Sequence, residues 1–390
     1  MSLKLLSKIQ LSNKRVMIRE DFNVPLIDGK VSDDQRIHAA LPTIEYVLKQ
    51  GGKIILLSHL GRPKAGQPAS EFSLAPVAQR LQELLNQPVH FAQDWLNGVD
   101  CDKHSITLCE NVRFNAGETE NDPQLAQRMA ALCDVFVMDA FATAHRAHAS
   151  THGVAQFAKE ACAGPLLQKE IAALAAVIEN PRKPLVAIVA GSKVSTKLGV
   201  LKNLMTQVDT LIVGGGIANT LLYAAGYPVG KSLCETELKD TATSLLEFAQ
   251  TNNIAIPLPT DVVVAPELSN NATATIKRIE EINADDMILD IGPDTAKYYS
   301  EVLQQAGTIL WNGPVGVFEI EAFSRGTQMI AQAVAHSSAY SVAGGGDTLA
   351  AIAKFNVAEK ISYISTGGGA FLEFIEGIEL PAIAVLKEVN

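Results

Sequence analysis

The sequence predicts an α/β protein of two doubly wound parallel-sheet, Rossmann-like domains that face each other across a hinged cleft. Three observations lead there. Short β-rich apolar runs alternate with segments of helical period, the 390 residues exceed what one hydrophobic core supports, and a proline-bounded stop falls near the middle of the chain.

The apolar runs of the first half are 16–18, 54–58, Ile106–Cys109 and Val135–Met138. Those of the second half are 185–189, 210–213, Asp261–Ala265, 308–311, 340–343 and 361–365. Uninterrupted runs of this length suit strands buried on both faces of a parallel sheet. Helix signals lie between them: Asp122 and Pro123 as cap and first turn of 122–133, and Ser73 as cap of 74–86. An amphipathic helix over 166–180 runs into Pro181-Arg182-Lys183-Pro184, and a strand follows at once. Two prolines around two cations stop a helix and stiffen a link. The domain boundary is therefore expected near 180.

Composition narrows the function. A formal charge of −10 argues against a surface that binds nucleic acid or anionic membrane as a whole. The 5 cysteines form no CxxC pair, which fits reduced thiols rather than a disulfide framework or a zinc site. No stretch of about 18 apolar residues occurs, and the N-terminal segment lacks an apolar signal region, so a cytoplasmic protein is expected. The basic residues are uneven: eight of the eleven arginines precede residue 150. Their planar forks suit bidentate contact with carboxylate or phosphate.

In open parallel sheets, ligands bind beyond the carboxyl ends of the strands, so the segments after each strand are informative. In the first half they read REDFNVP (19–25), SHLGRP (58–63), ENVRF (110–114) and DAFATAHRAH (139–148), with Arg36 just past the Asp33-Asp34 turn. Each brings arginine, histidine or both to one sheet edge, which points to an anion site. In the second half they read AGSKVSTK (190–197), GGGIAN (214–219), NGPVGVFE (312–319), AGGGDT (343–348) and STGGGA (365–370). Glycines let a backbone approach a ligand closely, and exposed N–H groups at a helix start bind phosphate. Lys193 and Lys197 are expected one helical turn apart, so that both ammonium groups reach the same phosphate chain. Asp347 suits either a helix N-cap or a Mg²⁺ ligand beside nucleotide phosphates.

Three look-alikes fail. GxGxxG is broken at Asn219 and at Leu372, so the dinucleotide fingerprint is absent. Gly230-Lys231-Ser232 imitates the end of a P-loop, but Ala225 stands at its first glycine position. Glu110, Asp139, His145 and His148 lack the close spacing of a metal motif, and are expected as hydrogen-bonding partners at the anion site.

Taken in order, DFNVP, SHLGRP, ENVRF, HRAH, GSKVSTK, GGGIAN, WNGPVGVFE, GGGDT and STGGGA closely resemble the phosphoglycerate kinase family across essentially the whole chain. The resemblance implies reversible phosphoryl transfer between 1,3-bisphosphoglycerate and ADP, giving 3-phosphoglycerate and Mg-ATP. It implies that Asp21, Asn23, Arg36, Arg113, Arg146 and the His59-Leu60-Gly61-Arg62 run hold the phosphoglycerate. Lys193, Lys197, Gly214, Gly215, Asn312, Glu319, Gly345, Gly346, Asp347 and Thr348 would hold the nucleotide, with Glu319 on the ribose, Asp347 on Mg²⁺, and Arg36, Lys193 and Lys197 catalytic. The implied domains are 1–168 with a C-terminal return over 371–390, a linking segment 169–184, and a nucleotide domain over 185–370. A monomer is implied as well. Ala142, Glu20 and Ala65 depart from the family pattern, where glycine, a small apolar residue and glycine are usual.

The reaction suits these residues. Phosphoryl transfer needs alignment and cations rather than covalent help, and a substrate carboxylate needs no general base. A dehydrogenase would need the missing fingerprint. A non-catalytic anion-binding module would leave the lysine and glycine tips without a use.

Overall fold

The computed structural model describes residues 3–388. Residues 1, 2, 389 and 390, at the ends of the expected first domain and of its C-terminal return, lie outside the described residues. The chain divides into two compact units, one up to Ala172 joined by the segment from Glu379 onward, the other Ala173–Ile378.

The first unit holds β1 (Arg15–Arg19), a hairpin of β2 (Leu26–Ile27) and β3 (Lys30–Val31), then β4 (Lys53–Leu57), β5 (His90–Ala92), β6 (Ile106–Cys109), β7 (Val135–Met138) and β8 (Ala161–Ala163). Six of these form one sheet in the order β5-β6-β4-β1-β7-β8, and every neighbouring pair is parallel. Val16, Ile18, Ile54, Leu56, Ile106, Leu108, Val135 and Val137 share one buried cluster, and the alternate residues Met17, Ile55 and Phe136 are equally buried. Burial on both faces is why these strands read as unbroken apolar runs. Winding leaves β1 in both directions, toward β4 and toward β7, so the reversal point lies at the tip of β1.

The second unit contains β9 (Leu185–Ala190), β10 (Thr210–Gly214), β11 (Asp261–Ala265), β12 (Thr275–Arg278), β13 (Met287–Ile291), β14 (Thr308–Asn312), β15 (Tyr340–Gly344) and β16 (Tyr363–Ser365). Its main sheet, β10-β9-β14-β15-β16, is parallel throughout. The expected parallel strand at Asp261–Ala265 instead joins a separate antiparallel sheet, β12-β11-β13. Its partner β12 is largely exposed and carries no apolar run, so the sequence pattern did not announce it.

Helix starts follow the cap chemistry with one change. Asp122 accepts from Leu125 N at 2.8 Å ahead of the helix Pro123–Ala131. The helix Ala75–Leu85 is capped at Leu74 rather than Ser73. Glu110, from the tip of β6, accepts from Leu74 N at 2.9 Å and from the Ser73 hydroxyl at 2.7 Å. Asp139, from the tip of β7, does the same for the helix Pro165–Ile178, accepting from Leu167 N at 2.9 Å and from Thr43 Oγ1 at 2.6 Å. Glu110 and Asp139 are therefore helix caps and not partners at an anion site.

The helix Pro165–Ile178 runs through the division at Ala172, and the Lys183-Pro184 bond that follows it is cis. The helix Gly369–Ile375 lies in the second unit, where Asn203 Nδ2 donates to Ile375 O at 2.7 Å. Pro381–Glu388 lies in the first, with Ala382 N donating to Ala144 O at 3.1 Å. Ala142 sits in the 3₁₀ turn Phe141–Thr143 without a positive φ, so that turn does not require glycine.

Asp122→Ala is expected to lower stability by about 1 kcal/mol. Ser73→Ala should cost less, because Glu110 still accepts from Leu74 N. Urea titration of both variants checks the order.

Candidate active site

The parallel strands of the first unit deliver their tips to one edge. After β1, Asp21 Oδ2 accepts from Arg36 Nη1 at 2.5 Å, and the same nitrogen lies 3.3 Å from the Asn23 carbonyl. Asn23 Oδ1 accepts from Gly61 N at 2.8 Å, tying the β1 tip to the β4 tip. Gly61 has φ +59°, and a Cβ there would strike the Phe72 ring, so this loop needs glycine twice over. Asn111 Nδ2 donates to the Leu60 carbonyl at 2.8 Å, and Arg113 Nη1 donates to the Gly61 carbonyl. Arg62, Arg113, Arg146 and His148 line a cavity of about 300 Å³ with Pro63 and Thr119.

The cations here crowd one another. Burial, then Arg146 and Arg19, pull the Arg113 guanidinium down to about 10. Burial, then Arg113, Arg19 and Arg146, pull His148 down to about 4. His59 is held well below its ordinary value by burial and by Arg19, Arg113, Arg146 and Arg36. Like charges this concentrated favour an anion that would relieve them.

Under this edge lies a layer that the sequence analysis missed. Arg19 is buried, and its Nε donates to Ser150 Oγ at 3.0 Å, its Nη1 to the Glu20 carbonyl, and its Nη2 to His59 Nδ1 at 3.3 Å. Glu118, also buried, accepts from Ser150 N at 3.0 Å and from Ser150 Oγ at 2.6 Å. The signal for Arg19 was available: a charge inside the run RVMIR must be paired if the strand is buried. Glu118 lies in a polar turn and carried no signal. Glu20 is buried beside it with Oε1 unpartnered, and burial followed by Asp139 pushes its carboxyl well up.

In the second unit the tips of β9, β10, β14 and β15 meet through backbone and short side chains. Lys197 Nζ donates to Ala190 O at 2.6 Å and to Asn312 Oδ1 at 2.5 Å. Burial pulls this ammonium down to about 8, and Asp347 opposes the shift. Asn312 spends its amide N–H on Gly344 O at 2.8 Å. The Thr348 hydroxyl donates to Gly344 O and accepts from Gly313 N, both at 2.8 Å.

Lys193 and Lys197 are not on one helix, contrary to expectation. Residues 191–197 form turns, with Lys197 N donating to Val194 O at 2.9 Å, and the helix Leu198–Leu204 begins only afterwards. Ser195 donates from both N and Oγ to the Glu235 carboxylate, which pins the turn. Lys193 is exposed upon it. Nor is Asp347 a cap: Gly345 holds that position ahead of the helix Gly346–Lys354, and the exposed Asp347 lies inside the first turn.

The glycines sort into two kinds. A Cβ on Gly214 would lie 2.6 Å from Val315 Cα, one on Gly215 2.8 Å from Gly191 O, and one on Gly216 would overlap the Ser192 carbonyl. These glycines let neighbouring loops pack. A Cβ on Gly346 would meet nothing within 4 Å, and its φ is not positive, so neither packing nor backbone geometry accounts for it. A cavity of about 340 Å³ opens among these loops, lined by Gly215, Gly216, Val315, Val317, Glu319 and Asp347 among others, with Leu289 and Met287 on its apolar side.

A model of the phosphoglycerate kinase family matches residues 6–378. The chain belongs to the phosphoglycerate kinase family. It is 59% identical to the phosphoglycerate kinase of Coxiella burnetii, over 98% of each chain, and 57% identical to that of Francisella tularensis, over 100% of this chain and 99% of the relative. The solved phosphoglycerate kinase from Coxiella burnetii superposes with a TM-score of 0.96 at 58% identity and 99% coverage of both chains. The enzyme from Pyrococcus horikoshii gives 0.80 at 32% identity and 98% coverage of both. The chain is accordingly a glycolytic phosphotransferase, and its family uses a nucleotide substrate.

Gly346→Ala is expected not to lower Tm, since no protein atom meets the new methyl group, and to raise the KM for ATP if this loop contacts the nucleotide. Gly216→Ala should lower Tm, since the Ser192 carbonyl stands in the way. Thermal melts and steady-state kinetics on the two variants separate these effects.

Proposed function

We propose that the two crowded strand edges are the two halves of the phosphoglycerate kinase site. In this reading, Asp21, Asn23, Arg36, His59, Leu60, Gly61, Arg62, Arg113 and Arg146 of the first unit take 3-phosphoglycerate. Lys193, Lys197, Gly214, Gly215, Glu319 and the loop 345–348 of the second take the nucleotide, with Glu319 on the ribose. Asn312 serves the nucleotide by holding Lys197. The first unit is then the phosphoglycerate domain and the second the nucleotide domain. The observation that carries the reading is the convergence of Arg62, Arg113 and Arg146 on one cavity, where a bound anion would relieve their mutual repulsion.

The residues fit a bound Mg²⁺. Among the described residues no group of three or more His, Cys, Asp or Glu side chains is placed to hold a metal alone. Asp347 offers one exposed carboxylate at the nucleotide cavity, and Mg²⁺ characteristically combines one or two carboxylates with substrate phosphates. When bound, the ion would neutralise charge on the phosphate oxygens.

The protein's part in the chemistry is electrostatic. The 3-phosphoglycerate carboxylate is already an ionised nucleophile, so no side chain has to remove a proton. Lys197, Lys193 and Arg36 offer cations to the charge that spreads over the transferring group. In-line transfer needs attacking and leaving oxygens on opposite sides of one phosphorus, so we also propose that the half-sites close over the substrates during turnover. Closure would exclude the water that hydrolyses an acyl phosphate. Each proposed half-site draws on one chain, which favours a monomer, and a cytoplasmic location follows from the glycolytic role.

The test is phosphorylation of 3-phosphoglycerate by Mg-ATP, coupled to NADH oxidation through an added dehydrogenase. Arg36→Ala should lower kcat by roughly 10³-fold, by analogy with arginines that act on the transferring phosphoryl group. Arg62→Ala should raise KM for 3-phosphoglycerate by a larger factor than it lowers kcat. Unchanged kcat in Arg36→Ala would leave that residue as the partner of Asp21 and nothing more.

Asp347→Asn should shift the Mg²⁺ dependence of ATP use to higher concentration without loss of fold, because Asp347 caps nothing. A Mg²⁺ titration identical to that of the unsubstituted enzyme would remove Asp347 from the metal site.

A further inference from the structure

We propose that Arg19 is a positioning residue that fixes the tautomer of His59, so that the imidazole keeps its one proton on Nε2 and offers it to an oxygen of bound phosphoglycerate. The second half of this statement rests on the placement of phosphoglycerate proposed above. The first half stands on geometry alone.

An arginine side chain has donors and no acceptor, so the contact between Arg19 Nη2 and His59 Nδ1 at 3.3 Å has only one possible direction. His59 Nδ1 must accept, and a neutral ring then carries its hydrogen on Nε2. The competitor is Asp21, whose Oδ1 lies 3.8 Å from Nδ1 and would favour the opposite tautomer. That distance is too long for a hydrogen bond. Asp21 is also held in place, with Oδ2 accepting from Arg36 at 2.5 Å and Oδ1 from Asn23 N at 3.2 Å.

Arg19 cannot swing away to release the ring. Its Nε is held by Ser150 Oγ at 3.0 Å and its Nη1 by the Glu20 carbonyl. The Ser150 hydroxyl spends its own hydrogen on Glu118 Oε1 at 2.6 Å, so toward Arg19 it can only accept. The directions of all these bonds are therefore fixed, from the Glu118 carboxylate through Ser150 and Arg19 to the ring. Double protonation of His59 would aim a second N–H at the guanidinium. The charges facing the ring are Arg19, Arg113, Arg146 and Arg36 against Asp21, a balance that opposes the imidazolium. His59 thus serves as a neutral donor with a preset direction. A neutral donor adds nothing to the repulsion among the surrounding guanidiniums.

The test has two arms. In two-bond ¹H–¹⁵N spectra of the free enzyme labelled at histidine, with His59 assigned by its loss in His59→Gln, Nδ1 should read as an unprotonated acceptor and Nε2 as protonated at neutral pH. The reverse pattern overturns the proposal. In the kinetic arm, glutamine places an amide N–H near the Nε2 position and asparagine near Nδ1. His59→Gln should therefore hold KM for 3-phosphoglycerate close to the original value, while His59→Asn raises it by about tenfold or more, the loss expected for a hydrogen bond to a charged group. An asparagine variant equal to or better than the glutamine variant overturns the donor assignment. If the spectrum shows the Nε2–H form and neither variant changes that KM, the tautomer stands and the phosphoglycerate placement fails. Arg19→Met, if it folds, should bring the Nδ1–H form into the spectrum, and an unchanged spectrum would remove Arg19 as the cause. If it does not fold, the unsubstituted spectrum and the His59 pair still decide.

Discussion

The first unit depends on keeping one guanidinium out of water. Arg19 ends β1 at the centre of the sheet, where solvent does not reach it, and a buried arginine without partners would cost several kcal/mol. Its three nitrogens are all engaged, through Ser150, the Glu20 carbonyl and His59, and Glu118 stands behind Ser150 as counter-charge. Apart from the Glu20 carbonyl on the β1 tip itself, those partners come from the β4 tip and from the segments after β6 and β7. Satisfying one buried cation therefore fixes how three loops meet. The arginines above it inherit that order, because Gly61, Asn23 and Arg113 are tied to the same loops.

The carboxylates of the unit divide between two jobs. Glu110 and Asp139 look from the sequence like companions of the cations, yet both turn to cap helices. Burial raises Asp139 to about 6, and Gly164 is glycine because a Cβ there would strike its carboxyl. With these acids committed elsewhere, Asp21 and the buried Glu118 are left among the carboxylates that offset the cations at the edge. The positive potential of the site is thus a matter of what the acids do as much as of how many arginines are present.

Much of this was legible in the chain. Ile106–Cys109, Val135–Met138 and Asp261–Ala265 coincide with the apolar runs, because strands covered on both faces are built mainly of apolar residues. The arginine-bearing and glycine-bearing tips were legible for a related reason, since parallel strands bring all their tips to one edge. What escaped has physical causes. β5 and β8 span three residues each, too short for any period, and β12 is polar. The placing of Lys193 and Lys197 on one helix failed because the turn there is held by Glu235, 40 residues away in sequence from Ser195. The Ser73 cap shifted by one residue because a distant carboxylate was better placed. Glycine triplets do not tell their reasons, since a glycine needed for loop packing, such as Gly216, and one with open space around it, such as Gly346, look alike in a sequence.

The two edges handle charge in different ways, and the difference follows from the side chains they use. Arginine stays protonated at any ordinary pH, so the first edge is cationic whether or not an anion is present, and the cost of crowding is met permanently by the fold. Lysine can give up its proton. Lys197 is half-buried against the carbonyl of Ala190 and the amide oxygen of Asn312, and its ammonium is lowered to about 8, within reach of neutral pH. Those oxygens are dipoles and compensate only part of the lost hydration. A phosphate beside Lys197 would supply the missing full charge and stabilise the protonated form, and by linkage the protonated form would bind that phosphate more tightly. The second edge is therefore one whose charge a bound phosphate would complete, whereas the first carries its charge without one.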